Sequence, residues 1–145
     1  MESVETRQQN DSRMQHDKER RTITALRPFI PAKNFAVSNT FYAALGFEPH
    51  PLGPQLAEMR LGEHSFLLRH QDYHVAESAG NFVMHVLVED LDAWWRHIDT
   101  LDLASRFGVP EPRAPKLESW GLRVAYVIDP CGVLWHFAAR PSTRA

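Results

Sequence analysis

The chain lacks most of the features that announce a function at first sight. It has one cysteine, Cys131, in 145 residues. A lone thiol closes no internal disulfide, so the fold does not depend on an oxidising compartment. No apolar run approaches the length needed to cross a bilayer. Neither charge is in excess: 16 Lys and Arg stand against 18 Asp and Glu, for a formal net charge of −2. Nucleic-acid binding requires a basic face, and this balance supplies none. There is no glycine-rich phosphate loop and no GxSxG elbow. The expectation is a soluble, cytoplasmic protein with no nucleic-acid or membrane partner.

The composition that remains is ordinary for a globular domain, with 43% hydrophobic and 23% charged residues. A chain of this length has room for one domain with a real core. Its first 22 residues stand apart. Glu2, Glu5, Asp11, Asp17 and Glu19 alternate with Arg7, Arg13, Lys18, Arg20 and Arg21. Such a segment has no apolar core for a signal peptide and too little apolar surface to offset its ordering entropy. A disordered N-terminal tail is therefore expected over 1–22, with a single domain over 23–140. Pro141 to Ala145 reads as a second tail.

Within that domain the pattern reads as α+β. Ala25 to Pro31 is a short extended stretch. Pro28 and Pro31 cannot donate to a ladder, which sends this strand to a sheet edge. A helix follows, capped by Asn34, carrying Val37, Phe41 and Leu45 at helical spacing, and stopped by Gly46. Phe47 can fold back on Tyr42. Strands are expected at Gly46–Pro51, Leu56–Leu61 and His64–Gln71, the last two joined by Gly62-Glu63, which suits a tight hairpin. Asp72 to Asn81 is a polar loop. The same order then returns. Phe82–Val88 is a strand. Asp90 caps a helix bearing Leu91, Trp94, Trp95, Ile98 and Leu101, which ends near Gly108. One ill-defined strand lies in Val109–Ser119. A final hairpin, Leu122–Ile128 with Val133–Ala139, turns at Asp129-Pro130-Cys131-Gly132. The two modules, about 25–71 and 82–139, repeat an architecture more than a sequence.

Side-chain alternation assigns faces. If the last turn pairs Ile128 with Val133, then Val124, Tyr126, Ile128, Val133, Trp135 and Phe137 pack on the helices. Arg123, Ala125, Val127, Leu134, His136 and Ala138 take the other face. Phe82, Met84, Val86 and Val88 likewise face the helices, leaving Val83, His85 and Leu87 opposite. Two sheets, each covered on one side by a helix, leave two faces of mixed character around a cleft.

Two βαβββ modules in one chain, with Phe41–Phe47 (FYAALGF), Val88–Trp94 (VEDLDAW), Trp120-Gly121 and Asp129–Phe137 (DPCGVLWHF) in that order, resemble the vicinal-oxygen-chelate superfamily. That superfamily includes glyoxalase I, extradiol dioxygenases, fosfomycin-resistance enzymes and bleomycin-resistance proteins. The similarity is greatest to the bleomycin-resistance-like proteins and covers about residues 25 to 139. It implies the glyoxalase/bleomycin resistance fold, with curved mixed sheets around a cleft. It also implies a homodimer whose clefts draw on both subunits, often with exchange of the N-terminal strand.

Metal-dependent members carry ligands on the first and last strands of each module. The resemblance places those positions at Arg27, near Leu67, at Val83 and at His136. Arginine repels a cation, and valine and leucine have no donor atom, so no metal and no other cofactor is expected. The ligand-binding candidates are Arg27, His85, Trp120, Arg123 and His136, with no catalytic residue assigned. Each has a plainer reading: the histidines can satisfy neighbouring polar groups, and Trp120 can simply pack. Arg27 and Arg123 pointing inward would favour a neutral or anionic ligand. His64, His70, Asp72 and His74 look metal-like on paper, but they follow no recognised ligand spacing and read as solvated surface. Cys131 has no activating neighbour. The implied function is metal-independent sequestration of an antibiotic-type molecule. The alternative is a metal-dependent lyase, isomerase or dioxygenase of the glyoxalase type.

Overall fold

A computed structural model describes residues 3–72 and 77–141 of the chain. In place of the expected disordered tail stands a helix, α1, over Val4–Arg20. The segment contains neither glycine nor proline, and Ser3 caps it by accepting a hydrogen bond from the Thr6 amide. None of its residues is buried. Local capping and propensity make this helix; tertiary packing contributes nothing to it. No helix among the described residues is long and apolar enough to cross a membrane.

The body consists of two modules of the same plan. The first holds β1 (Phe29–Ala32), α2 (Phe35–Leu45), β2 (Glu48–Gly53), β3 (Leu56–Leu61) and β4 (His64–His70). The second holds β5 (Val83–Leu87), α3 (Leu91–Thr100), α4 (Leu103–Phe107), β6 (Arg113–Leu117), β7 (Arg123–Ile128) and β8 (Leu134–Ala139). The sheets run β1-β4-β3-β2 and β5-β8-β7-β6. In each, the first strand lies parallel to the last and the other pairings are antiparallel. The proline-bearing β1 is an edge strand, as its missing amides require.

The caps act where expected. Asn34 accepts from the Val37 amide and Asp90 from the Ala93 amide. Gly46 stops α2 at a positive φ of 125°, a conformation that costs glycine nothing. The second helix is broken where one continuous element was expected. Asp102 takes a left-handed φ of 51° and starts the short α4, which Gly108 ends.

Both modules share one core. Tyr42, Phe47 and Phe66 from the first pack around Trp135 from the second, with ring centroids 5.5, 5.6 and 5.3 Å from it. Fully burying a side chain of this size contributes roughly 1.5–3 kcal/mol. At the centre the Tyr42 hydroxyl donates to Asp129 Oδ2 at 2.5 Å and accepts from Trp135 Nε1 at 2.9 Å. His97 adds a second tie by donating from Nε2 to the Leu45 carbonyl at 3.0 Å.

One register differs from the sequence reading, and the difference moves the site. Ile128 pairs with Leu134, not Val133. The cause is Asp129, whose Oδ1 accepts from the amides of both Cys131 and Val133 at 2.8 Å. Its side chain thereby takes the Val133 amide away from the ladder and lengthens the connection by one residue. A one-residue slip exchanges the faces of a strand. In β7, Ala125 and Val127 therefore join Phe137 and Trp135 in the core, while Tyr126 and Ile128 turn to the open face with His136 and Leu134.

Candidate functional site

The open face of the second sheet collects an aromatic and imidazole cluster. The parallel pairing of β5 with β8 sets His85 beside His136, and the pairing of β7 with β8 sets Tyr126 on the other side of His136. His85 Nδ1 lies 3.4 Å from His136 Nδ1. The Tyr126 ring meets His136 edge-on at 5.1 Å. Trp120 comes from the tight turn between β6 and β7, where the Gly121 amide donates to the Glu118 carbonyl. Its ring lies 6.0 Å from His136 and 6.2 Å from His85, and the residue remains 51% exposed. An indole of that size left half in water beside two imidazoles contributes little to packing.

Beside the cluster runs a groove of about 520 Å³, floored by Tyr126, Ile128 and Leu134 and walled by Arg113, Lys116 and Glu118. The Tyr126 hydroxyl donates to Glu118 at 3.0 Å. Burial, helped by that carboxylate, raises the phenol above its ordinary pKa. Burial also lowers His136, with His85 adding to the effect and Glu118 opposing it. His136 is therefore a neutral imidazole at physiological pH, able both to donate and to accept.

The open face of the first module is built from ions that satisfy one another. Glu58 on β3 is buried, accepts from Arg60 and from Ser65 at 3.2 Å, and forms an ion pair with Arg27, whose Nε lies 2.9 Å from its carboxylate. Arg27 also donates to Ser65 at 3.0 Å. The hydrogen bond from Arg60 is the main cause that holds the Glu58 carboxyl below its ordinary range; burial works against it, and Ser65 and Arg27 reinforce it. A crevice of about 460 Å³ lies between the modules, lined by Phe47, Leu61, Phe66, Met84, Val86 and Trp94 among others, with His85 at its margin.

Of the five residues singled out from sequence, His85, Trp120 and His136 come together. Arg27 lies on the other module, engaged with Glu58 and Ser65. Arg123 does not join them. The shifted register turns it to the helix side, where it pairs with Asp92 of α3 at 3.2 Å. Tyr126, assigned to the core from sequence, is instead part of the cluster. Doubling the turn possibilities at Asp129, a residue whose side chain can capture downstream amides, was the available signal. Trp94 and Trp95 both pack against the core, Trp94 stacking on Phe137 at 5.1 Å. Cys131 is pushed up by burial, which makes its thiol a poor nucleophile. His74 lies outside the described residues.

A divalent ion does not fit this donor set. The second module offers two imidazoles side by side. In the first module Phe29 faces Leu67 across the matching strands, and Arg27, just before β1, meets Ser65 of β4. Among the described residues no three His, Cys, Asp or Glu side chains are grouped to hold a metal. Phenylalanine and leucine have no donor atom, and a guanidinium is a permanent cation.

No protein-family model and no curated protein sequence matches the chain. Solved structures do. A bleomycin-binding protein complexed with bleomycin superposes with a TM-score of 0.68 at 22% identity, covering 82% of this chain and 100% of that one. A bleomycin resistance determinant encoded on a transposon gives 0.62 at 20% identity, over 83% and 100%. A lactoylglutathione lyase from Agrobacterium tumefaciens gives 0.60 at 18% identity, over 81% and 95%. The chain shares its two-module fold with these bleomycin-binding, bleomycin-resistance and lactoylglutathione lyase structures.

Proposed function

We propose that this protein is a metal-independent small-molecule binder of the bleomycin-resistance-like kind, which acts by sequestering its ligand on the open face of the second module. The observation that carries the reading is the cluster of His85, His136, Tyr126 and half-exposed Trp120 beside the groove of about 520 Å³. Aromatic faces with a few convergent polar groups are the usual composition of a ligand site. Sequestration demands no acid–base pair and no metal, and neither is called for by these side chains.

The working form is a homodimer. Phe29 on the first module and Val83 and Leu87 on the second are each about half exposed. Apolar side chains on open sheet faces favour coverage by a second copy, which would supply the opposite wall of the cleft. Arg27 and its partners belong to that wall. With Arg123 turned away, the arginine argument for an anionic ligand rests on Arg27 alone, and Arg27 is already paired.

The test is a titration followed by Trp fluorescence, using a panel of flat aromatic compounds and a glycopeptide antibiotic, alongside sedimentation. Saturable binding that is lost on Trp120→Ala, by a dimer, is the expected result. No binding by any member of the panel sinks the reading. One observation favours the runner-up, a metal-dependent lyase, isomerase or dioxygenase: His85 and His136 stand side by side on the first and last strands of their module. A stoichiometric divalent ion in purified protein would establish it.

A further inference from the structure

Resting on the reading of this face as a binding site, we propose that its groove selects an aromatic zwitterion of the amino-acid class. The body of such a ligand lies over Tyr126, Ile128 and Leu134. Its carboxylate meets Arg113 and Lys116, and its ammonium group meets Glu118.

The argument starts from charges of both signs that line one groove without pairing. Glu111, Arg113, Lys116 and Glu118 all border the space of about 520 Å³. Among these residues no cation stands within ion-pairing distance of a carboxylate. The first module shows the other outcome, since Glu58 there draws in both Arg27 and Arg60. In the groove the positions are set by the sheet and by one phenol. Arg113 lies opposite Tyr126 and Lys116 opposite Val124 across the β6–β7 ladder. The Tyr126 hydroxyl donates to Glu118 Oε1 at 3.0 Å and holds the carboxylate in place. Among the described residues the other oxygen, Oε2, has no hydrogen-bond partner.

The spacing fits a compact zwitterion. Arg113 and Glu118 both act on the Tyr126 phenol: burial and then Glu118 raise its pKa, and Arg113 opposes the rise. The two opposite charges therefore stand around a single hydroxyl, which suits a ligand whose own charges are attached to one carbon atom. Two carboxylates against two cations leave the groove without net charge, so it has little attraction for a simple ion. A lone ammonium gains Glu118 but faces Arg113 and Lys116. A lone carboxylate gains those two but faces Glu118. A ligand with both charges makes both attractions and offsets both repulsions, which is selection against competitors as much as for the ligand. The floor of one phenol ring and two branched apolar side chains takes the aromatic body, and the volume accommodates a bicyclic ring.

The probes are naphthylalanine, naphthylethylamine and naphthylpropionate, which share one ring system. At neutral pH they carry both charges, the cation alone and the anion alone. Each is titrated by calorimetry at low salt into the native chain, E118Q and the double variant R113Q/K116Q. Gln at position 118 keeps an oxygen that can accept from Tyr126 and removes only the charge. Native protein should bind naphthylalanine about fivefold tighter than either analogue, the upper end of what a partly exposed ion pair contributes. In E118Q the zwitterion should lose its advantage over the propionate and keep the one over the amine. In R113Q/K116Q the reverse should hold. Equal binding of all three probes to native protein leaves the site standing and overturns the selection. A preference that both variants lose alike, or both retain in full, overturns it too, because it would then come from shape and not from opposed charges. If none of the three binds while another flat aromatic compound does, this inference alone falls; silence from all of them sinks the binding reading with it.

Discussion

The two modules share a topology and differ in what their open faces do with polar groups. On the first, Arg27, Glu58, Arg60 and Ser65 are consumed by one another: the carboxylate is buried, Arg60 and the Ser65 hydroxyl donate to it, and Arg27 pairs with it. On the second, His85 and His136 face each other, Tyr126 is held by Glu118, and Trp120 stays half in water. One face is closed chemically and the other is open. In a repeated fold, then, the two copies need not use their open faces alike; here one buries a charge within a set of ions, while the other carries neutral and aromatic groups partly in water. Both depend on the same core, and that dependence supplies the largest expected effects.

Trp135→Ala should be the most damaging substitution. Trp135 comes from β8 but is enclosed mostly by first-module rings. Truncating a buried tryptophan costs roughly 3–5 kcal/mol. If the modules are one cooperative unit, urea unfolding followed by fluorescence and by circular dichroism will shift in a single step. Two separated transitions would show that the modules stand independently, and the contrast between their faces would then be one between two domains.

Tyr42→Phe removes the hydroxyl that joins the modules. Asp129 loses a donor and Trp135 Nε1 loses its acceptor, a cost of about 1–3 kcal/mol for buried groups left unsatisfied. The defect should depend on pH with a definite sign. Burial raises the Asp129 pKa above its ordinary value, and the Tyr42 hydroxyl opposes that rise by stabilising the ionised form. The share owed to Asp129 is smallest while it is protonated in both proteins and grows as pH rises through its titration; the share owed to Trp135 Nε1 does not change with pH. Parallel stability curves across that range would contradict the assignment.

Most of this architecture can be read from sequence because the punctuation is local. Asn34, Gly46, Asp90 and the alternation within each strand act within a few residues, and the structure follows them. The site was read less well because it depends on one non-local choice. Asp129 spends its carboxylate on the Val133 amide as well as on the turn, and that bond reverses the faces of β7. Arg123 was accordingly assigned inward and Tyr126 to the core. His85 and His136 share a face as expected because β5 and β8 keep the assumed alternation. The helix over Val4–Arg20 has no apolar stripe, so no periodicity in the sequence announces it.

Trp120→Ala tests the open face directly. Loss of a stacking partner should weaken an aromatic ligand by about tenfold, while stability changes by less than about 0.5 kcal/mol because the indole is half exposed and packs little. Isothermal titration and thermal melts of the same preparation measure both. A large stability loss with unchanged affinity would make Trp120 a structural residue.

Glu58→Gln should give the reverse pattern, and with the smallest effect of the four. The carboxylate is buried, but Arg27 and Arg60 are 41% and 50% exposed, so water screens much of the attraction. What remains has a clear pH signature. The Glu58 pKa is lowered in the fold, so its contribution is present above the ordinary carboxylate range and is lost as pH falls through its folded value. Native protein should therefore be the more stable of the two at neutral pH, and the gap should close in acid. Ligand affinity should stay within about twofold, because ions spent on each other give a wall and not a handle. If Glu58→Gln weakens an aromatic ligand as much as Trp120→Ala does, the first module is a working part of the binding face. The asymmetry between the modules would then be only an unequal exposure of two halves of one site.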